Sequence, residues 1–111
     1  MITIEHFTIY AAMYEEIRGL RSDVATKIDK DVPRTFGIFG KVWWQRIFLS
    51  DIERREKIAS LDRLLNAIAY THGYCQGMNF VAAMLLSELE ELDAYCIMSW
   101  MLEQVSCLEF I

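Results

Sequence analysis

The sequence predicts an all-α protein, an irregular array of about five to six helices in one domain. Apolar residues return every three or four positions along most of the chain, and no long run alternates apolar with polar residues as a half-buried strand would. Breakers are few: one proline, Pro33, and five glycines, four of them at Gly37, Gly40, Gly73 and Gly77. With 111 residues, 54% of them apolar and 13% aromatic, the chain suits one core and leaves no room for a second domain.

The elements follow in order. Phe7, Tyr10, Tyr14, Ile17 and Leu20 repeat at three and four, which predicts a helix over about 3–20. Ser22 is a candidate cap for a second, short helix carrying Val24, Ala25 and Ile28. Pro33 is expected to end it, because proline lacks an N–H and disfavours helical geometry in the residue before it. Gly37 and Gly40 then mark a loop with tight bends. The apolar stretch 41–49 reads as one or two helical turns. Ser50 and Glu53 have the form of a capping box opening a helix over about 51–71, with Ile52, Ile58, Leu61, Leu64, Leu65 and Ile68 inward. His72-Gly73 breaks that helix, another runs from about 76 to 90, and Asp93 is a candidate cap for a last one to about 108.

Composition excludes several function classes. A formal net charge of −5 disfavours binding of nucleic acid through bulk attraction to phosphates, and Arg54, Arg55 and Lys57 read as a solvated helix face. Cys75, Cys96 and Cys107 make an odd count without a Cys-x-x-Cys pair, so small buried thiols in a reducing compartment are expected, with neither a disulfide framework nor a metal site. Glu88, Glu90, Glu91 and Asp93 read as a solvated helix end, without His or Cys at ligand spacing. His72, three residues before Cys75, reads as a turn histidine and not as half of a thiol–imidazole pair. Trp43 and Trp44 with Phe39 and Phe48 read as core or as cover. The longest apolar run, 80–86, is far short of the ~20 residues that span a bilayer, so no direct membrane insertion is expected.

Two segments carry chemistry. Ile28, Asp31 and Arg34 are spaced three and three, along one helix face. Ile28 can anchor, Asp31 can hold the Arg34 stem or its neighbours, and Arg34 can project into a partner's site; an ordinary surface ion pair fits the same spacing. In the second segment, Gly73 and Gly77 flank Tyr74-Cys75-Gln76. They give the backbone room for a sharp turn into a helix and for close approach by another molecule. Gln76 then falls in the first turn, where its amide can position a water molecule or cap its own helix. Each segment alone leaves both readings open.

Together, Ile28-x-x-Asp31-x-x-Arg34-Thr35 and Tyr74-x-Gln76-Gly77-Met78 resemble the paired signature motifs of the TBC domain family. The flanking residues resemble it too: Leu61, Leu64 and Leu65 before the second motif, Asn79 to Ala83 after it, and the stretch 93–103. The resemblance runs from about residue 10 to the end and implies the N-terminal helical lobe of such a domain. It further implies a GTPase-activating protein for Rab-type small GTPases, acting in membrane traffic. Arg34 would be an arginine finger and Gln76 a glutamine finger, both inserted in trans. Asp31, Thr35, Tyr74 and Asn79 would support the fingers, and Gly77 would allow close packing on the GTPase. No cofactor of its own is expected, since GTP and Mg²⁺ belong to the partner and no phosphate-binding glycine loop is present. The implied location is cytoplasmic, with recruitment to endomembranes through partners.

The chain also departs from the family. Residues 1–111 read as a partial TBC domain, without the upstream arginine and tryptophan motif and without the C-terminal lobe. Gly37 stands where the family usually has proline, and the turn before Gly73 is about two residues shorter. These departures keep a second reading open, a TBC-like scaffold that binds a partner without accelerating hydrolysis. Tyr95, Ile97, Met98, Trp100, Met101, Leu102 and Val105 make the last helix apolar on nearly all sides, which predicts self-association.

Overall fold

The computed structural model describes residues 1–39 and 51–109. Among these residues it is all-helical: α1 (Ile4–Ile17), α2 (Ala25–Phe39), α3 (Asp51–His72), α4 (Met78–Glu88) and α5 (Glu91–Glu109). The predicted loop at Gly40, the helical turns over 41–49, the Trp43, Trp44 and Phe48 group and the Ser50 cap lie outside the described residues.

α1 opens on a reciprocal cap: the Thr3 hydroxyl accepts from the His6 amide at 3.3 Å, and His6 Nδ1 accepts from the Thr3 amide at 2.9 Å. Two otherwise orphaned donors are thereby satisfied. The helix ends before Leu20, which lies in the exposed link, because Gly19 turns the chain in the left-handed region at φ 86°. Ser22 does not cap α2. Its amide and hydroxyl both donate to Asn66 Oδ1 at 3.0 Å, and Asn66 Nδ2 donates to the Asp62 carbonyl at 2.9 Å. The buried Asn66 thus pins the α1–α2 link to α3.

Pro33 does not stop α2, which continues through it to Phe39. The hydrogen bond that proline forgoes belongs to the Asp29 carbonyl. Asp29 and Pro33 are both exposed, so water can serve that carbonyl. Ile28, Val32 and Thr35 are buried on the opposite side and hold the helix to the core. Gly37 lies inside this helix and not in a loop, so Arg34 sits on regular helix.

α3 is the axis. It packs against every other helix, with α1 and α5 on one flank and α2 and α4 on the other. Leu61, Leu64, Leu65 and Ile68 are fully buried, as their spacing predicts. Ile52 and Ile58 are exposed, Ile52 at 69% and Ile58 at 36%; Ile58 lies beside Val32 and Pro33 of α2 at the edge of the packing and not inside it. Gly73, at φ 85°, closes the helix. α5 begins at Glu91, so Asp93 lies in its first turn, where a carboxylate favours the helix dipole, and is not the cap. Tyr95, Cys96 and Met98 are buried, while Ile97, Trp100, Met101 and Leu102 are half-buried. The last helix is therefore partly covered by its neighbours.

The acidic cluster before α5 is not uniformly solvated. Glu91 takes a bidentate bond from Arg63, with Nη2 to Oε1 at 2.7 Å and Nε to both oxygens at 3.1 Å. It also accepts from the Tyr14 hydroxyl. Tyr14 stacks on Tyr95, ring centroids 4.7 Å apart. One carboxylate thereby joins α1, α3 and α5. Among the cysteines, Cys96 is buried as expected, but Cys75 is exposed.

Candidate functional site

The site is built where α2 meets the turn between α3 and α4. On α2, Ile28, Val32 and Thr35 turn inward and Arg34 turns outward. The Thr35 hydroxyl donates to the Asp31 carbonyl at 2.7 Å, one turn back. Opposite, Gly73 and Gly77 both adopt left-handed backbone, at φ 85° and 101°. A Cβ at Gly77 would meet nothing within 4 Å, so the backbone angle, and not crowding, calls for glycine there. Between the two glycines, Tyr74 turns towards α2 and Gln76 lies exposed in the turn just ahead of α4, not in its first helical turn. Gly77 is the N-cap, with no side-chain cap, so Gln76 does not cap the helix.

Two hydrogen bonds close the gap between the segments. The Tyr74 hydroxyl donates to Asp31 Oδ2 at 2.6 Å. Asn79 Nδ2, buried in the first turn of α4, donates to Thr35 Oγ1 at 2.8 Å. Thr35 thus passes a short chain from Asn79 to the α2 backbone. Burial and the bond to Asp31 push the Tyr74 phenol above the usual tyrosine range, so it remains a donor. Asp31 does not hold the Arg34 stem; its carboxylate is engaged by Tyr74 instead. Met78 opens α4 and its sulfur lies 3.2 Å from the Cys75 amide.

Arg34 and Gln76 are the two exposed residues left over. Arg34 falls between Asp31 and Thr35, and Gln76 falls between Tyr74 and Asn79. Neither makes a side-chain hydrogen bond or ion pair among the described residues. Of the nine residues singled out in the two motifs, four are joined across the gap, Tyr74 to Asp31 and Asn79 to Thr35. No group of His, Cys, Asp and Glu among the described residues is arranged to hold a metal. His72 is engaged by Thr71 and Glu103, at 2.8 and 3.5 Å, and not by Cys75.

The sequence profile of the Rab-GTPase-TBC domain matches residues 8–111, nearly the whole chain. The chain belongs to the Rab-GTPase-TBC family. It is also similar to Small G protein signaling modulator 3 of Homo sapiens, 45% identical over 51 residues. That stretch is 43% of this chain and 7% of the relative, so the chain spans only a small part of that protein's length. No solved structure matches.

In this TBC domain the pairings were harder to foresee than the residues. Tyr74 to Asp31 and Asn79 to Thr35 span 43 and 44 positions, and nothing in a single sequence couples them. Lys27 was missed altogether. Its ammonium lies 5.7 Å from the centroid of the Tyr74 ring, on the outer side of the site. The i, i+4 spacing from Lys27 to Asp31 was the available signal.

Proposed function

We propose that this chain accelerates GTP hydrolysis by a Rab-type small GTPase, with Arg34 and Gln76 entering the partner's nucleotide site together. The single observation that supports the reading is the pair of bonds from Tyr74 to Asp31 and from Asn79 to Thr35. They lock the segments bearing Arg34 and Gln76 into one frame and leave both side chains unengaged. Membership of the Rab-GTPase-TBC family supplies the class of partner.

The chemistry needs both groups. Negative charge on the transferring phosphoryl group and leaving oxygen is stabilised by a planar, permanently charged guanidinium. A carboxamide both donates and accepts, which suits it to orient the attacking water. GTP and Mg²⁺ belong to the GTPase. The protein works in the cytoplasm, reaching endomembranes through its partners; among the described residues no helix is long and apolar enough to cross a membrane.

Single-turnover hydrolysis against a panel of GTP-loaded Rab-type GTPases tests the reading. Wild type speeds one or more of them, and Arg34→Ala removes roughly 10³-fold or more of the stimulation, as loss of an arginine finger does. Gln76→Ala removes a similar share. A wild type that binds a GTPase but leaves its intrinsic rate unchanged makes the chain a scaffold instead.

A further inference from the structure

The outer face of α2 sorts its charges. At 100° per residue, Lys27, Lys30 and Arg34 fall within one narrow sector, on the same side as Asp31. Thr26 and Pro33 border the sector on its other edge, and Asp29 lies farther round the helix, about 100° from Lys30. All three basic residues are exposed, and none forms an ion pair among the described residues. The two nearby acids offset them only in part. Asp29 is paired with Arg21 at 2.8 Å on the far flank, and Asp31 accepts from the Tyr74 hydroxyl, a neutral donor that does not cancel a carboxylate's charge, so three basic residues stand against one acid on this face. Lys27 leans over the Tyr74 ring, which sets the stripe beside the 73–77 turn. From Lys27 to Arg34 it extends about 10 Å along the helix. This is a concentrated positive strip on a chain whose formal net charge is −5.

We propose that Lys27 and Lys30 form, with Arg34, a docking stripe for an acidic face of the GTPase next to its nucleotide, and that the two lysines govern the rate of encounter. The proposal rests on the GTPase-activating reading and adds to it a surface and a partner chemistry. The partner's nucleotide is a polyanion, and a finger arginine on a chain of formal net charge −5 approaches it from a protein whose overall field opposes the encounter. A local basic strip leading to that arginine reverses the sign where contact is made, and such steering fades as salt rises. A lysine does this as a mobile point charge, without needing fixed geometry.

The test is stopped-flow association of the full chain with a GTP-loaded Rab-type GTPase that it stimulates, at low, physiological and high salt. The wild-type association rate falls with salt. The double charge reversal Lys27→Glu, Lys30→Glu slows association at low salt by about tenfold or more. The two rates converge at high salt. Replacing both lysines with arginine restores the wild-type salt dependence. Helical circular dichroism checks that each variant is folded. If the reversal leaves the rate and its salt dependence unchanged while Arg34→Ala still abolishes stimulation, the stripe is not a docking surface and the activating reading stands. If wild type stimulates no GTPase, both readings fall. If the reversal instead abolishes salt-sensitive binding to phosphatidylserine vesicles and leaves GTPase association untouched, the stripe faces lipid and the proposal is overturned.

Discussion

At the scale of single residues, the site separates side chains that hold from side chains that are free to act. Tyr74 and Asn79 hold; Arg34 and Gln76 are exposed and have no side-chain partner among the described residues. Tyr74→Phe removes one hydroxyl and keeps the ring under Lys27. A net hydrogen bond of this kind contributes about 0.5–1.5 kcal/mol to stability, somewhat more when its acceptor is a carboxylate, so the variant still folds. Its effect on function is larger in proportion, because the bond sets the position of the turn bearing Gln76, and a displacement of about 1 Å can lower a rate ~10²-fold. We expect GTPase stimulation to fall about 10- to 100-fold while the melting temperature drops by only a few degrees. Equal, small losses in both would mean that the bond is structural and does not position Gln76. The residues of this frame were legible in the sequence as two motifs. Their partners were not, because the helical period says which face a residue shares and says nothing of which distant residue lies opposite. Asp31 illustrates the limit: its spacing to Arg34 suggests a local pair, yet a phenol 43 positions away takes its carboxylate.

At the scale of elements, periodicity located every described helix, and the errors lie at the ends. The buried run Leu61, Leu64, Leu65 and Ile68 was readable because α3 is covered along that face. Ile52 and Ile58 carry the same period but are exposed, Ile58 beside Val32 and Pro33 of α2, and a period does not show how fully a neighbouring helix covers a face. Pro33 misled for a different reason. Proline disfavours helix locally, but buried Ile28, Val32 and Thr35 keep α2 in place on both sides of it. That balance is testable. Pro33→Ala restores the hydrogen bond to the Asp29 carbonyl and removes the ring clash. Against this, proline restricts the unfolded chain, which partly offsets the gain. We expect a net stabilisation of about 1–2 kcal/mol, read as a raised urea midpoint with an unchanged slope. A destabilised variant would show that α2 depends on the proline bend.

At the scale of the whole molecule, two properties follow from what the packing leaves out and what it encloses. Ile4, Ile9, Ile52 and Leu92 are exposed, and Ile97, Trp100, Met101 and Leu102 on α5 are only half-covered. Apolar surface of this kind drives association, so the isolated chain is expected to dimerise or aggregate at tens of micromolar; a clean monomer by light scattering would exclude it. The enclosed Glu91 sets the response to acid. Burial alone raises a carboxyl pKa, but the bonds from Arg63 and Tyr14 outweigh it and leave Glu91 below the usual glutamate range. A carboxylate that ionises more readily in the folded state stabilises the fold above the unfolded value, and the stabilisation is lost as pH falls through the folded one. The same cluster raises the Tyr14 phenol, through burial first and the Glu91 bond second, so its contribution holds at neutral pH and fades only as alkali ionises tyrosine in the unfolded chain. Stability should therefore plateau around neutrality and decline on both sides. Glu91→Gln tests the acid limb: it keeps the shape, removes the charge that Arg63 and Tyr14 were arranged around, and lowers stability by about 1–3 kcal/mol at pH 7. Below the glutamate range, wild type loses this contribution and the two proteins converge. Urea midpoints measured from pH 7 down to pH 3 read that convergence directly, and parallel curves at a constant offset would show that Glu91 contributes through packing and not through charge.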